Sequence, residues 1–424
     1  MHLVDTTLFY SPTSGGVRRY LNAKHAWYAA HGGDLRHSLL VPGRRTALVP
    51  GDVSTVAGPV VPGTFNYRLP LRPRRWTRLL EELEPDIIEA GDAFHPAWCA
   101  LRVAQRSRIP AVAFFHSHLP RVITMRLGVA AGRVAGRYVR GLYGRFELVF
   151  APSRVMCEYL RSLGLGNVAL LPLGVDAAVF HPARRNTQLR ARLGLAEETR
   201  LLIYAGRFSA EKNIKVLHEA FASLGPRYHL LQVGGSEHRR LTANITLLPY
   251  HRDSNALAGL IASSDALVHA GTSETFGLVV LEAMACGRPV VGVRAAAVAE
   301  LVNDGVGVAA ASAEPEVFAR AIRDLYDRDL EALGRVARAR VEARYSWDIT
   351  LGKQLAFYAS LTRKKRIAPE GWATATVRPS GEKVAVPAGP SSEWMSSAAR
   401  LPGPGRHSTN RPSRPADTSS GPFG

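Results

Sequence analysis

Short apolar runs rich in β-branched and aromatic residues recur along the chain, separated by longer Ala- and Arg-rich segments with helical spacing. The first series is Leu39-Leu40-Val41, Asp86-Ile87-Ile88, Ala111 to Phe115 and Leu148-Val149-Phe150. Fully apolar strands alternating with helices predict βαβ units and a parallel sheet covered on both faces. The rhythm pauses from Leu171 to Asp176 and again from Phe180 to Arg185, where Pro, Gly and charge cluster as in a linker. A second series follows: Arg200 to Gly206, Tyr228 to Gly235, Ala266 to His269, and Pro289 to Val293. The expected architecture is α/β, with two Rossmann-like doubly wound domains facing each other across a cleft. Residues 1–176 form the first domain, 177–346 the second, and 347–362 a terminal helix crossing back to the first. From Arg363 to Gly424 the chain turns to Pro, Gly, Ser and basic residues, which reads as a disordered tail. No repeat of solenoid period is present.

Composition adds one abnormal quantity. Across 424 residues, 54 Lys and Arg stand against 35 Asp and Glu, a formal charge of +19. Such a field draws polyanions, anionic lipid surfaces or phosphorylated small molecules. The tail carries ten basic and four acidic residues, so most of the excess belongs to the folded part. No recognition motif or stripe of aromatics accompanies the charge, and no nucleic-acid partner is expected. Three scattered cysteines, Cys99, Cys157 and Cys286, make neither a disulfide framework nor a Cys-rich zinc site. With no basic n-region before an apolar run and no apolar stretch of membrane-spanning length, the expected location is the cytoplasm, or the inner face of the membrane as a peripheral protein.

The densest chemistry lies between Ser273 and Val291. Glu274 precedes an apolar helical segment and Glu282 lies inside it, with Gly277 at its start and Gly287-Arg288-Pro289 at its end. Amides near Phe276, Gly277 and Leu278, together with the helix dipole, favour an anion such as a pyrophosphate. The two carboxylates can accept hydrogen bonds from sugar hydroxyls; a capped helix with a solvated Glu is the plain alternative. The segment from Tyr204 to Asn213 leaves a strand with Arg207 and Lys212 five residues apart, a fork and a point charge suited to a diphosphate. An exposed turn would have the same pattern.

Taken together, Gly206-Arg207…Glu211-Lys212-Asn213, the Glu274/Glu282 pair, the early Ser14-Gly15-Gly16-Val17 loop and Pro172 to Asp176 with Phe180 resemble the GT-B-fold retaining glycosyltransferases of family GT4, over about residues 1–361. The resemblance implies transfer of a hexose from a UDP-, GDP- or ADP-sugar to a lipid or glycan acceptor. The nucleotide sugar is a substrate, and neither a cofactor nor a divalent metal is expected. By position, Arg207 and Lys212 would neutralise the leaving diphosphate, Glu274 would hold donor-sugar hydroxyls, and Glu282 the ribose. Phe276, Gly277 and Leu278 would touch sugar and phosphate, with Gly15 and Gly16 closing over them. His116 matches the family's active-site histidine, and Pro249-Tyr250-His251 falls where members contact the base. The resemblance also implies a same-face substitution in which the leaving phosphate takes the acceptor proton, and the sequence, in which no carboxylate nucleophile is identifiable, is compatible with it.

Other residues carry weaker signals. His118, Asp92 and His95 follow strands and are acceptor-side candidates, with a structural loop as the alternative for each. His116-x-His118 lacks a companion carboxylate or Cys set for a metal. From Arg121 to Arg145 there are six Arg (Arg121, Arg126, Arg133, Arg137, Arg140, Arg145) and no acid, interleaved with apolar residues. That segment would suit anionic lipid, or be an ordinary Arg-rich helix. Asp327-Arg328-Asp329 imitates a metal-binding Asp-x-Asp but falls in a stretch read as helical, Phe318 to Leu333. A sugar-nucleotide epimerase on the same fold, or a basic membrane- or nucleic-acid-binding protein, are the competing readings.

Overall fold

The computed structural model describes residues 1–11, 15–62, 64 and 66–367. Ser14 and the compositional tail from residue 368 lie outside the described residues. The first half runs β1 (His2–Thr6), α1 (Gly16–His31), β2 (Arg36–Gly43), β3 (Val53–Ala57), α2 (Pro73–Glu82), β4 (Ile87–Ala90), α3 (His95–Ser107), β5 (Ala111–Phe114), α4 (Leu119–Tyr143), β6 (Leu148–Ala151), α5 (Arg154–Ser162) and β7 (Val168–Leu170). These seven strands form one sheet in the order β3-β2-β1-β4-β5-β6-β7, parallel throughout. β1, β4 and β5 are buried at every position, as expected where helices cover both faces.

The chain then crosses a linker containing α6 (Leu189–Arg192). The second half runs β8 (Arg200–Ala205), α7 (Ile214–Leu224), β9 (Tyr228–Gly235), β10 (Arg239–Thr242), β11 (Ile245–Pro249), α8 (Ser254–Ser263), β12 (Ala266–His269), α9 (Leu278–Ala285), β13 (Val290–Val293), α10 (Val298–Leu301), β14 (Gly307–Ala310), α11 (Pro315–Tyr326), α12 (Leu330–Arg344) and α13 (Trp347–Ile367). Its sheet order is β10-β11-β9-β8-β12-β13-β14. One pair departs from the parallel rule: β10 is antiparallel to β11. Three of its four residues, Arg239, Arg240 and Thr242, are polar and exposed at the sheet edge, and Leu241 alone turns toward the core, so the apolar rhythm does not reveal it.

The structure corrects two readings. Asp327 ends α11, and Asp329 caps α12 by accepting from the Ala332 amide at 2.9 Å, so the Asp-x-Asp is a turn between helices and not the interior of one. The terminal helix continues through Ile367, past Arg363 where the composition changes, because helical geometry tolerates the Arg-Lys-Lys-Arg run.

A buried charge network joins α13 to the first sheet. Lys24 on α1 donates to Asp5 of β1 at 2.8 Å, to Glu89 of β4 at 2.9 Å and to the Tyr358 hydroxyl of α13 at 2.8 Å. Gln354 of α13 donates to Glu89 at 3.0 Å, and His37 of β2 contacts Asp5 at 3.0 Å. Lys24 is fully buried, so its three partners must replace the water it loses. α4 is broken at Gly128, whose φ of +88° few other residues adopt. Its exposed face carries Val122, Met125, Leu127, Val129 and Val134. Among the described residues no helix is long and apolar enough to cross a membrane.

Candidate functional site

Both sheets place their functional loops at the point where strand order reverses, where parallel α/β sheets open a crevice beyond the carboxyl ends of the strands. In the first sheet β1 lies between β2 and β4, and the chain after β1 enters α1 through Gly15. In the second, β8 lies between β9 and β12. The loop after β8 carries Arg207 and Lys212, and the loop after β12 carries Glu274 to Gly277. Those loops and the end of β5 converge on a cavity of about 260 Å³. Every residue expected at the catalytic and donor positions lines it: His116, Arg207, Lys212, Glu274, Gly15, Gly16, Phe276, Gly277, Leu278 and Glu282.

The chemistry is concentrated on two carboxylates. Glu274 accepts a close hydrogen bond from the Lys212 ammonium and another at 2.9 Å from His269 Nε2. The Gly271 amide donates to His269 Nδ1 at 3.1 Å, which leaves Nε2 as the protonated nitrogen. Burial pushes the Glu274 carboxyl up, but the Lys212 charge and the His269 hydrogen bond outweigh it and hold the group well below the usual carboxylate range. Glu282, eight residues on, lies inside α9 and is buried at 2% exposure. It accepts a close hydrogen bond from Arg19 of α1, in the facing domain. Gly277 starts α9 with φ +99°, a conformation that turns the chain sharply from Phe276 into the helix. Arg207 stands 3.8 Å from Glu211 and is partly exposed to the cleft.

His116 stacks flat on Phe114, with ring centroids 4.1 Å apart, and its Nε2 is buried without a hydrogen-bond partner. Burial and then the Lys24 charge push its pKa down to about 3. It is therefore a neutral imidazole near pH 7, able to exchange a hydrogen bond with a ligand hydroxyl. Thr275 spans the cleft: its Oγ1 donates to the His116 carbonyl at 2.9 Å, and its own carbonyl accepts from Ser153 Oγ at 2.9 Å. Arg121 donates to Ser273 at 2.7 Å, and Glu300 of α10 accepts from the Arg154 and Val155 amides at the start of α5, at 3.0 and 2.7 Å.

The three acceptor-side candidates line neither this cavity nor its neighbour described below. Asp92 is buried and accepts from Thr7 Oγ1 at 2.8 Å and from the amides of Leu8 and Phe94, pinning the loops after β1 and β4 together. His95 begins α3 edge-on to Trp76, with an unpartnered buried Nε2. His118 caps α4 by accepting from the Arg121 amide at 3.2 Å and packs on Tyr159. Among the described residues no group of three or more His, Cys, Asp or Glu is placed to hold a metal ion. Sequence reasoning missed Arg19, His269 and Thr275. The one local sign was that Arg19 follows the Gly15-Gly16 turn by three positions; the partners of all three are set by distant strands.

A second cavity, of about 420 Å³, continues the first toward the linker, lined by Arg18, Asn22, Arg252 and Trp347 among others. Tyr250 lines both, and His251 the first.

Two family descriptions match the chain: Glycosyltransferase Family 4 over residues 14–179 and Glycosyl transferases group 1 over residues 185–340. A GDP-mannose-dependent alpha-(1-6)-phosphatidylinositol dimannoside mannosyltransferase of Mycobacterium tuberculosis (strain ATCC 25177 / H37Ra) is 31% identical over 380 residues, covering 86% of this chain and 98% of the relative. A phosphatidyl-myo-inositol mannosyltransferase of Propionibacterium freudenreichii subsp. shermanii is 26% identical over 369 residues, covering 81% of this chain and 91% of its own. Among solved structures, a sucrose-phosphate synthase from Thermosynechococcus elongatus superposes with a TM-score of 0.72 over 86% of this chain and 99% of its own, at 20% identity. With its two sheet domains facing one cleft and a relative of this identity along nearly its whole length, the chain belongs to the family 4 glycosyltransferases of the GT-B fold.

Proposed function

We propose that this enzyme moves mannose, with retention at the anomeric carbon and without a divalent metal, from GDP-mannose to a glycolipid of the phosphatidylinositol mannoside class. The observation that carries the reading is the convergence of Arg207, Lys212, Gly15 and Gly16, and the start of α9 on one cavity that also holds Glu274 and Glu282. Departure of a nucleoside diphosphate builds negative charge on its β-phosphate. Fixed cations and helix amides stabilise that charge without reorganising, which is the work a metal does elsewhere. Glu274, kept ionised, is suited to accept hydrogen bonds from sugar hydroxyls, and neutral His116 supplies an unpartnered ring nitrogen beside them. Glu282 is suited to the ribose and Tyr250 and His251 to the base. Among the described residues, the carboxylates lining this cavity are Glu274 and Glu282, and each is already engaged by a cation. That supports a same-face substitution in which the leaving phosphate takes the acceptor proton, in preference to a glycosyl-enzyme intermediate.

The choice of donor and acceptor rests on the relatives, whose names specify GDP-mannose and phosphatidylinositol mannosides. The broken, basic α4, with Met125, Leu127 and Val129 exposed between arginines, would hold the protein against an anionic membrane at the cytoplasmic face. A thermal-shift panel of GDP, UDP, ADP and their sugars, with and without EDTA, tests the donor site. A shift with GDP-mannose that survives EDTA and is lost in Arg207→Ala is expected; no shift with any nucleotide would overturn the reading. Sedimentation with phosphatidylglycerol vesicles against phosphatidylcholine vesicles tests α4.

A further inference from the structure

The two cavities of the cleft are one groove divided by a side chain. They share Gly15, Arg19, Tyr250, Leu278 and Glu282 as lining, and the Arg19–Glu282 ion pair runs between them. Arg19 comes from the first turn of α1 in the first domain, whereas Glu282 and Tyr250 belong to the second. The pair is asymmetric: Glu282 is 2% exposed and the Arg19 side chain 27%. The guanidinium therefore reaches from the cleft mouth onto a buried acid. Arg19 also faces the Tyr250 hydroxyl. One guanidinium thus touches the acid and the aromatic side chain that the donor reading assigns to ribose and base.

We propose that Arg19 is a gate on the nucleoside subsite, holding Glu282 until the ribose diol of the donor displaces it. The inference rests on the donor-site reading above. Arg19 holds Glu282 at Oε1, so a ribose diol that places one hydroxyl on each carboxylate oxygen must displace the guanidinium from that one. Binding of the nucleoside then requires the form in which the pair is open. The observed dissociation constant is raised by the reciprocal of the open fraction. A partly buried ion pair that keeps the gate closed for about nine-tenths of the time would weaken binding about tenfold. Opening it would also remove a tie between the domains and merge the two cavities, so donor entry and cleft opening become one event.

The experiment is calorimetric titration of the full chain with GDP and, separately, with guanosine, in wild type, Arg19→Met, Arg19→Lys and Glu282→Gln, with circular dichroism to establish that each variant is folded. Arg19→Met is expected to bind both ligands about tenfold more tightly, because the competition is for the ribose that they share. Arg19→Lys, which restores a cation, is expected to return toward wild type, and Glu282→Gln to bind both more weakly. Arg19→Met that weakens GDP and leaves guanosine unchanged would make Arg19 a phosphate ligand and overturn the gate. Unchanged affinity for both would overturn it as well. If wild type and every variant bind no nucleotide, the donor-site reading itself fails, and the gate with it; loss of binding in Glu282→Gln alone keeps the donor site while Arg19→Met decides the gate.

Discussion

Replacing Lys212 by Met removes the side chain on which two properties of the cleft depend. The ammonium is a cation beside the expected leaving group, and it is also the nearest positive charge on Glu274. Preorganised donors facing developing negative charge contribute about 10²–10³ in kcat each, or about 2.7–4 kcal/mol, so kcat for sugar transfer should fall by that factor. The second effect has its own signature. Burial pushes Glu274 up, and with Lys212 gone His269 is left to oppose it, so the carboxyl rises toward the ordinary range. The acid limb of the rate profile should therefore move to higher pH in the variant, because more of Glu274 is protonated at a given pH. Release of the nucleoside diphosphate from the proposed donor, GDP-mannose, under saturating steady-state conditions, measured across pH 4 to 8, reads both effects. A thermal melt establishes that the variant is folded. A loss of less than about fivefold in kcat, or an unmoved acid limb, would refute the assignment of Lys212 to both leaving group and Glu274.

Three further outcomes follow from individual contacts. Thr275→Val keeps shape but deletes the hydroxyl that donates to the His116 carbonyl, a hydrogen bond of about 0.5–1.5 kcal/mol, so kcat should fall roughly 2- to 10-fold with little change in donor KM, and Thr275→Ser should recover it; an equal change in both parameters would argue against positioning. Lys24→Met leaves Asp5 and Glu89 buried without their shared cation and should destabilise the protein by about 3–5 kcal/mol in a denaturant melt, whereas a loss under about 1 kcal/mol would mean that the network is held by its hydrogen bonds alone. His229, 1% exposed, is lowered to about 4 by burial and then by Arg240, so its folded form stays neutral while the unfolded chain begins to bind a proton below about 6.5. Its contribution is complete above that pH and is lost as pH falls through the window from about 6.5 to 4, reaching about 1.4 kcal/mol at pH 5.5. His116 and His118, lowered to about 3 and about 4, act in the same direction. Melting temperature should drop between pH 7 and 5.5, and His229→Gln should flatten that slope.

How much of this was legible in the chain depends on the range of the interactions. The apolar runs that became β2, β4, β5, β6, β8, β9, β12 and β13 were readable because a strand covered on both faces must be apolar throughout. The exposed edge strand β10, and β3 and β7, whose positions are partly exposed, lacked that signature. The turn at Gly277 and the placing of Glu274 before α9 and Glu282 within it are local, since helical geometry fixes their spacing. So are the Arg207 and Lys212 spacing and the linker near residue 176. Asp327 to Asp329 was misread because two helices joined by a three-residue turn have nearly the periodicity of one, and only the Asp329 cap separates them.

The sequence by itself determined the alternation of strands and helices, the two domains and the residue types of the donor cleft, because backbone periodicity and turn chemistry act within a few residues. Tertiary structure alone decided which charges meet. Glu274 lies 62 positions from Lys212, Glu282 lies 263 from Arg19, and Glu89 lies 65 from Lys24. Those encounters follow from strand order and from the facing of two sheets, and no local pattern encodes them. They also fix ionisation: a carboxylate's pKa depends on the distance to its counter-charge and on the water excluded around it, and both quantities come into existence only when the chain has folded.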